Sequence, residues 1–293
     1  TTIYKQSMEF INFNYKINYI TNKKEIIMSS LSNQNLIEMK NIIAEISLKA
    51  AKIIMKNINS PIEIKQDNTP VTKADKESDK LINTLLNKHF PSIPIVSEER
   101  EFPKNSFGNS LHWIIDPLDG TKSFIEGNED FCVCIALALN KKPILGCITH
   151  PPSEKVWLGG ARIDSLMKEK KFNYKNINCR DIPPVGPTIA ISRHHAGPKL
   201  KEWLSSLAYF KEKRVGSALK FTLIAEGKAD IFPRTTSTYE WDSAAGQAII
   251  EGAGGKVVQM NNDAMIYGRE DKKNPNFIAF GRSNWTKFLK EKV

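Results

Sequence analysis

The chain has 293 residues, and 42 Lys and Arg against 32 Asp and Glu give it a formal net charge of +10 at pH 7. Its 41% hydrophobic and 25% charged residues are typical of globular proteins and exclude the disordered, collagen-like and disulfide-rich classes. The longest apolar run, 131–139, has nine residues, whereas a membrane-spanning helix needs about 20. The basic excess is spread out, without an Arg-rich arm or nucleic-acid-binding motif, and suits a small polyanionic substrate.

Residues 1–30 are rich in Ile, Asn, Lys and Tyr and have no steady hydrophobic period. We expect the ordered protein to begin near Met28, with this extension either disordered or a start-site artefact. The alternative is a membrane-surface anchor, because apolar and basic residues are mixed there.

Hydrophobic spacing in the next part of the chain predicts a long amphipathic helix from about residue 32 and a second helix over 72–89. Four strands follow as apolar runs, at 93–96, 112–115, 131–139 and 144–149. Pro and Gly residues between 151 and 187 mark a boundary. We therefore divide the chain into an N-terminal half, 31–165, and a C-terminal half, 166–293.

The predicted helices and strands alternate throughout, including in the C-terminal half, which makes the class mixed α/β. Strands are predicted over 188–192, 229–232, 256–260 and 277–280. Helices are predicted over 197–207, 217–226 and 243–251.

Four cysteines are too few for a disulfide framework in a chain of this length. Cys132 and Cys134 alternate in an apolar run, so we expect both to face one side of a strand as free core thiols. No Cys-x-x-Cys pair accompanies them, and no zinc site is predicted. Cysteine usage favours a reducing cytoplasm.

Acidic residues stand at the ends of predicted elements in four short segments. These segments are TKAD (72–75), VSEE (96–99), WIIDPLDGT (113–121) and YEWD (239–242). Carboxylates so placed suit Mg²⁺, which prefers oxygen ligands, waters and substrate phosphate oxygens.

The segment at 116–121 has the most specific arrangement. Pro117 fixes the turn so that Asp116 and Asp119 can project toward one point, with the Leu118 carbonyl left unpaired for a metal. Gly120 lets a phosphate approach the backbone. The N–H groups of Gly120 and Thr121 at a helix start form an anion site, and the Thr121 hydroxyl can orient a water.

Simpler structural explanations exist for the other three segments. Asp75 stands at capping-box spacing from the threonine before it. Asp242 precedes a predicted helix and fits an N-cap, and Glu98 with Glu99 fits a solvated loop. The 116–121 segment is harder to explain in this way, because it follows a strand that reads as buried.

WIIDPLDGTKSF resembles the D-P-[IL]-D-G-T signature of the inositol monophosphatase superfamily of Mg²⁺-dependent, lithium-sensitive phosphatases. The order VTKAD, SEE, DPLDGT and WD matches that superfamily over about 36–281. The resemblance implies a layered αβαβα sandwich of the sugar-phosphatase type, with an α+β N-terminal half and an α/β C-terminal half.

The resemblance also implies roles for individual residues. Two or three Mg²⁺ ions would be held by Glu98, Asp116, the Leu118 carbonyl, Asp119 and Asp242. Catalytic roles would fall to Asp75, Thr121 and Glu98, with Asp75 and Thr121 positioning and deprotonating the attacking water.

Three segments are similar to the 3′(2′),5′-bisphosphate nucleotidase branch: SRHH (192–195), VGSALKF (215–221) and AEGKADIFPR (225–234). The resemblance implies removal of the 3′-phosphate from adenosine 3′,5′-bisphosphate, or from its 5′-phosphosulfate, in sulfate assimilation. The expected substrate contacts are Gly120, Thr121, His195, Ser217, Lys220, Arg234 and Asp242.

The expected nucleotide contacts can be explained by substrate binding or by an ordinary structural role. Ser217 and Lys220 stand three residues apart on a predicted helix and so share a face, where the lysine meets a second phosphate. Arg234 adds a fork-shaped contact. Without the upstream signature they would be a capping serine and a surface lysine. His195 stays open between a base contact and a structural role.

Two alternative functions remain open. One is an inositol or sugar monophosphatase of the same fold, although a monophosphate does not need Lys220 and Arg234. The other is a basic nucleic-acid-binding protein without catalysis, which the complete set of expected ligands argues against. The resemblance further implies a cytoplasmic enzyme with peripheral attachment to the inner membrane.

Overall fold

The computed structural model describes residues 31–65, 69–101, 110–170, 172–193 and 197–290. The interpretations of residues 1–30 and of His195 therefore lie outside the described residues. Within the described ranges no helix combines the length and the apolar character needed to cross a bilayer.

The described residues contain both helices and strands, which confirms the mixed α/β class. The predicted alternation throughout is wrong, because six strands follow one another over 132–191 with no described helix between them. The helices are α1 (Asn33–Lys56), α2 (Lys73–His89), α3 (Thr121–Ile125), α4 (Pro198–Ser205), α5 (Leu219–Ala225) and α6 (Glu240–Gly252). The strands of the N-terminal part are β1 (Ile62–Ile64), β2 (Pro70–Thr72), β3 (Ile95–Ser97), β4 (His112–Asp119), β5 (Cys132–Leu139), β6 (Lys142–His150), β7 (Lys155–Gly160), β8 (Ile163–Lys168) and β9 (Lys175–Asn176). Those of the C-terminal part are β10 (Thr188–Ile191), β11 (Lys211–Arg214), β12 (Ile231–Arg234), β13 (Thr238–Tyr239), β14 (Lys256–Gln259), β15 (Lys273–Asn274) and β16 (Phe277–Phe280).

Side-chain caps fix where the two long N-terminal helices begin. The Ser32 hydroxyl accepts a hydrogen bond from the Asn35 N–H at 3.1 Å, at the start of α1. Thr72 caps α2 together with Asp75. These polar side chains satisfy N–H groups that have no partner inside the helix. Both predicted helices are confirmed.

Two larger sheets form the framework. The seven-stranded sheet has the order β3-β4-β5-β6-β7-β8-β9, with β3 parallel to β4 and the other pairs antiparallel. The five-stranded sheet has the order β11-β10-β12-β16-β14. Helices α1 and α2 cover one face of the first sheet, α5 and α6 lie between the sheets, and α4 covers the second sheet. This is the predicted αβαβα sandwich.

Close packing between the layers depends on glycines. A Cβ on Gly246, in α6, would lie 2.2 Å from the Phe221 ring, and one on Gly146, in β6, would lie 2.3 Å from the Ala245 carbonyl oxygen. Helix α6 can therefore approach both the sheet and α5 closely. The first turn of α6, which contains Asp242, lies close to Asp116 and Asp119 at the end of β4.

The region 151–187, interpreted as a boundary, holds β7, β8 and β9, which extend the first sheet. The division at 165/166 falls inside β8, and the change from one sheet to the other comes between β9 and β10. We therefore propose a division between residues 176 and 188.

Candidate active site

Four carboxylates from three parts of the chain meet at the end of β3 and β4. Because β3 runs parallel to β4, Glu98 follows β3 beside β4, and its N–H donates to the Ile115 carbonyl at 3.2 Å. The pairing of β4 with β5 shifts between Asp116 and Asp119, where Pro117 interrupts the ladder. Both aspartates consequently face the same space.

Asp242 completes the cluster from the first turn of α6. Oxygen atoms of Asp116, Asp119 and Asp242 all lie within 4.8 Å of one another. The Glu98 carboxyl interacts with Asp116 and lies close enough to Asp119 and Asp242 to feel their charge. The structure thus brings together all four predicted carboxylate ligands. We name Glu98, Asp116, Asp119 and Asp242 the acidic cluster.

The helix position of Asp242 differs from the N-cap interpretation, which was wrong. Helix α6 begins at Glu240, so Asp242 is its third residue, and its carboxylate accepts the Tyr239 N–H at 2.7 Å. It contributes to the cap from inside the helix. The solvated-loop interpretation of Glu98 and Glu99 was also wrong, because the Glu99 side chain is only 8% exposed and accepts a 2.6 Å bond from Lys65.

Burial and mutual repulsion disfavour the charged forms of these acids. Burial raises the pKa of Asp116 well above its usual range, and Glu98 and Asp119 add to the effect. Burial raises the pKa of Glu98 to about 7 although Lys65 opposes the shift, and burial with Asp119 raises the pKa of Asp242 to about 7. A set of hard oxygen ligands with so little compensating charge fits a divalent cation of the Mg²⁺ type.

The Leu118 carbonyl, predicted to be unpaired, has one hydroxyl donor nearby. The Thr121 hydroxyl lies 3.2 Å from this carbonyl oxygen and 3.0 Å from Asp75 Oδ1, and its single proton can go to either. A carbonyl oxygen has two lone pairs, so Leu118 can still bind a cation with the second.

Asp75 divides its two oxygens between a structural and a site contact. Oδ2 accepts the N–H and the hydroxyl of Thr72 at 2.7 and 2.6 Å, which forms the capping box of α2. Oδ1 faces Thr121. Burial raises the pKa of Asp75, although the bonds from Thr72 oppose the shift. The two explanations of Asp75 are therefore compatible.

Gly120 has a different structural reason from the predicted one. It adopts φ +97°, which favours glycine, and a Cβ there would lie 2.6 Å from the Asp130 carbonyl oxygen. Close packing against the chain at Asp130 requires this glycine. Its backbone also lines the cavity described next.

A cavity of about 210 Å³ adjoins the acidic cluster. Asp119 and Asp242 lie on its wall, and the expected contacts Gly120, Ser217, Lys220 and Arg234 line it as well. Thr121 does not line the cavity itself but stands between Gly120 and Lys122, which both do. The described substrate-side candidates are therefore in one place.

Lys220 is buried rather than a surface lysine, with only 3% of its surface exposed. Its ammonium donates to the Ser217 carbonyl and lies 5.1 Å from the centre of the Phe232 ring. Burial lowers its pKa to about 8, and Asp119 opposes that shift. A buried cation that faces a cavity suits an anionic ligand.

Ser217 does not share a helix face with Lys220 as predicted. Its φ of +52° is left-handed, and α5 begins two residues later at Leu219. The ammonium reaches back to the Ser217 backbone instead. Both residues line the cavity, but through a turn rather than through helical spacing.

Arg234 reaches the cavity from β12. Its terminal nitrogens lie 3.4 Å from Ser192 Oγ and from the Ser237 carbonyl oxygen. Its Nε is buried and has no hydrogen-bond partner among the described residues. The guanidinium thus keeps donor capacity for a ligand.

Sequence reasoning missed two groups that hold the site. Lys65 bonds both Glu98 and Glu99 at 3.4 and 2.6 Å. Asp130 Oδ2 accepts the Arg193 Nε–H at 2.6 Å and the Gly216 N–H at 2.7 Å. No sequence pattern indicates Asp130. Arg193 lies inside the SRHH segment and could have been predicted as a site residue together with that segment.

The chain matches the model of the inositol monophosphatase family over residues 35–290. It is 41% identical to the 3′(2′),5′-bisphosphate nucleotidase CysQ of Buchnera aphidicola over 221 residues, which cover 73% of this chain and 82% of that protein. It is 39% identical over 216 residues to CysQ of Escherichia coli K12, covering 73% and 86%.

Solved structures give the same assignment. CysQ from Bacteroides thetaiotaomicron superposes with a TM-score of 0.72 at 30% identity, over 83% of this chain and 98% of that one. Inositol monophosphatase from Anabaena superposes with a TM-score of 0.68 at 25% identity, over 85% and 92%. With a fold, a signature segment and an acidic cluster in agreement, this chain belongs to the inositol monophosphatase family.

Proposed function

We propose that this protein is a Mg²⁺-dependent phosphatase that converts adenosine 3′,5′-bisphosphate and water to AMP and inorganic phosphate. The 5′-phosphosulfate analogue is a second candidate substrate, and both compounds belong to sulfate assimilation. The proposal extends to this chain the bisphosphate nucleotidase activity of its CysQ relatives.

One observation carries the choice of a bisphosphate. The cavity beside the acidic cluster holds two buried cationic groups, Lys220 and Arg234, in addition to the cluster itself. A cation-binding cluster is suited to the phosphate that is cleaved. Two further positive groups are suited to a second phosphate.

The acidic cluster and the Leu118 carbonyl would hold the Mg²⁺, and we propose two or three ions. When bound, Mg²⁺ lowers the pKa of a ligated water and stabilises charge on the leaving oxygen. The chain's own contribution is proton transfer at Thr121, whose hydroxyl can take a proton from the attacking water while passing its own to Asp75. The burial that raises the pKa of Asp75 makes it a stronger base.

The reaction balances without a covalent enzyme intermediate. The water oxygen forms a bond to phosphorus as the bond from phosphorus to the 3′-oxygen breaks. The leaving 3′-oxygen takes a proton from solvent water and becomes the hydroxyl of AMP. The proton passed to Asp75 returns to solvent, so no net proton is gained or lost by the enzyme. Lys220 and Arg234 would bind the 5′-phosphate throughout, so they serve binding more than the chemical step.

The deciding experiment measures phosphate release from adenosine 3′,5′-bisphosphate and from inositol 1-phosphate, each with and without Mg²⁺. We expect Mg²⁺-dependent release that strongly favours the nucleotide and is inhibited by Li⁺. Asp116→Asn, purified in the same way, controls for contaminating phosphatases.

Two results would contradict the proposal. Equal or faster hydrolysis of inositol 1-phosphate would make the chain a monophosphatase of the same family. No release from either substrate above the level of Asp116→Asn would indicate a protein without this catalysis.

A further inference from the structure

Two thiols stand directly opposite the acidic cluster on the neighbouring strand. In the antiparallel pairing of β4 and β5, Cys134 is the partner of Asp116 and Cys132 is the partner of Asp119. The two cysteines alternate along β5, so they face the same side of the sheet. Both are buried and form no disulfide.

The distances between these groups match those of a tetrahedral metal site. The sulfur atoms of Cys132 and Cys134 lie 3.8 Å apart, and Cys132 Sγ lies 3.7 Å from Asp119 Oδ2. Two sulfur ligands about 2.3 Å from a tetrahedral Zn²⁺ are about 3.8 Å apart, and a sulfur and a carboxylate oxygen are about 3.6 Å apart. Ligand atoms of all three residues fall within 4.8 Å of one another.

A fourth ligand and an entry path are also present. The Ser217 hydroxyl lies 3.5 Å from Cys132 Sγ, and it or a water can complete four-fold coordination. Asp119 and Ser217 line the cavity. A cation that enters the cavity therefore meets the Asp119 carboxylate first and the two sulfurs behind it.

We propose that Asp119, Cys132 and Cys134 form a second metal site, selective for thiophilic divalent cations such as Zn²⁺ and Cd²⁺. Mg²⁺ does not use this site, because it prefers oxygen ligands. Binding of the cation releases the two thiol protons to the buffer and changes no oxidation state. This part of the inference is independent of the proposed function.

A consequence for activity does rest on the proposed function. Asp119 belongs to both metal sites, and a cation held by its Oδ2 and the two sulfurs competes for that oxygen and places extra positive charge beside the acidic cluster. Occupation of the second metal site therefore withdraws a ligand from Mg²⁺. We infer that Zn²⁺ and Cd²⁺ inhibit the enzyme through the two cysteines.

The first test uses Cd²⁺ as the probe and the ultraviolet thiolate-to-cadmium charge-transfer band as the readout. The full chain, kept reduced and free of Mg²⁺, is expected to give a band that saturates with one Cd²⁺ per chain. Cys132→Ser/Cys134→Ser should abolish it, and each single variant should weaken binding by about tenfold or more. Cys147→Ser is the matched control, because Cys147 is also buried but bonds to Ser47 and Thr149 instead.

Circular dichroism shows whether each variant is folded. If the double variant is not folded, the two single variants decide the test. A saturable band of equal strength in the folded cysteine variants would overturn the site. So would its absence from the parent at saturating Cd²⁺. A band lost in Cys147→Ser but kept in the other variants would also contradict it.

The second test measures inhibition of phosphate release by Zn²⁺ at fixed Mg²⁺, with each variant normalised to its own uninhibited rate. The parent and Cys147→Ser should be inhibited at Zn²⁺ concentrations about tenfold or more below those needed for the double variant. Equal inhibition of all three would overturn the inhibitory role. If no turnover is found at all, the proposed function fails while the cadmium band still decides the metal site.

Discussion

Replacing Asp75 by asparagine separates the two contacts of one carboxylate. Its Oδ2 holds the capping box of α2 through Thr72, and its Oδ1 faces the Thr121 hydroxyl at 3.0 Å. Asparagine keeps one oxygen acceptor but cannot take a proton. The effect on stability should then be small, whereas the effect on turnover should be large.

The two expected magnitudes differ enough to be measured independently. Weakening a helix cap costs about 1 kcal/mol in the free energy of unfolding. Removing a general base lowers kcat by about 10²- to 10⁴-fold. Urea unfolding reports the first quantity, and phosphate release at saturating substrate and Mg²⁺ reports the second.

Thr72→Ala is the matched control, because it removes the hydroxyl that bonds Asp75 Oδ2 and caps the Ala74 N–H. It leaves the contact between Asp75 and Thr121 in place. We expect a similar loss of stability with most of kcat retained. If Asp75→Asn loses no more kcat than Thr72→Ala, Asp75 is a helix cap only and the proposed proton transfer is wrong.

Three further predictions concern the acidic cluster and the cavity. Asp116→Asn should lower kcat about a thousandfold or more at saturating Mg²⁺ while circular dichroism stays unchanged. Lys220→Met, which fills similar space, should lower kcat/KM for adenosine 3′,5′-bisphosphate about 10- to 100-fold, chiefly through KM, and spare a substrate without the 5′-phosphate. The raised pKa values of Glu98 and Asp242, about 7 against ordinary values of 4.5 and 3.8, favour the protonated folded state. Urea midpoints in EDTA should therefore fall as pH rises from about 4 to 7, and Mg²⁺ should reverse the loss.

Local signals made much of the molecule predictable. The spacing of apolar residues in α1 and the capping pair at the start of α2 act within a few residues, so the sequence displays them directly. The segment at 116–121 is similar, because its proline, glycine and aspartates act within one turn. The resemblance in this segment then supplied the layer order that local reasoning does not reach.

Features that depend on distant neighbours were not predictable from local patterns. Strand β11 is the charged run KEKR, which pairs with β10 and is exposed along its whole length, so its side chains give no strand signal. Ser217 adopts a left-handed φ that a helical pattern hides. The contact of Asp130 with Arg193 and Gly216 spans 63 and 86 residues.

The hydrogen bonds made by residues 216–218 fix the distance between two binding positions. The Gly216 N–H is tied to Asp130 at 2.7 Å and the Ala218 N–H is tied to Asp119, so the N-terminal half holds this short stretch at both ends. Lys220 is anchored in turn on the Ser217 carbonyl. Under the proposed function, the interval between the cleaved phosphate and the retained one is therefore set by backbone hydrogen bonds. We expect the enzyme to discriminate between substrates by the distance between their two phosphates. A longer or shorter spacer should lower kcat/KM even where both charges are kept.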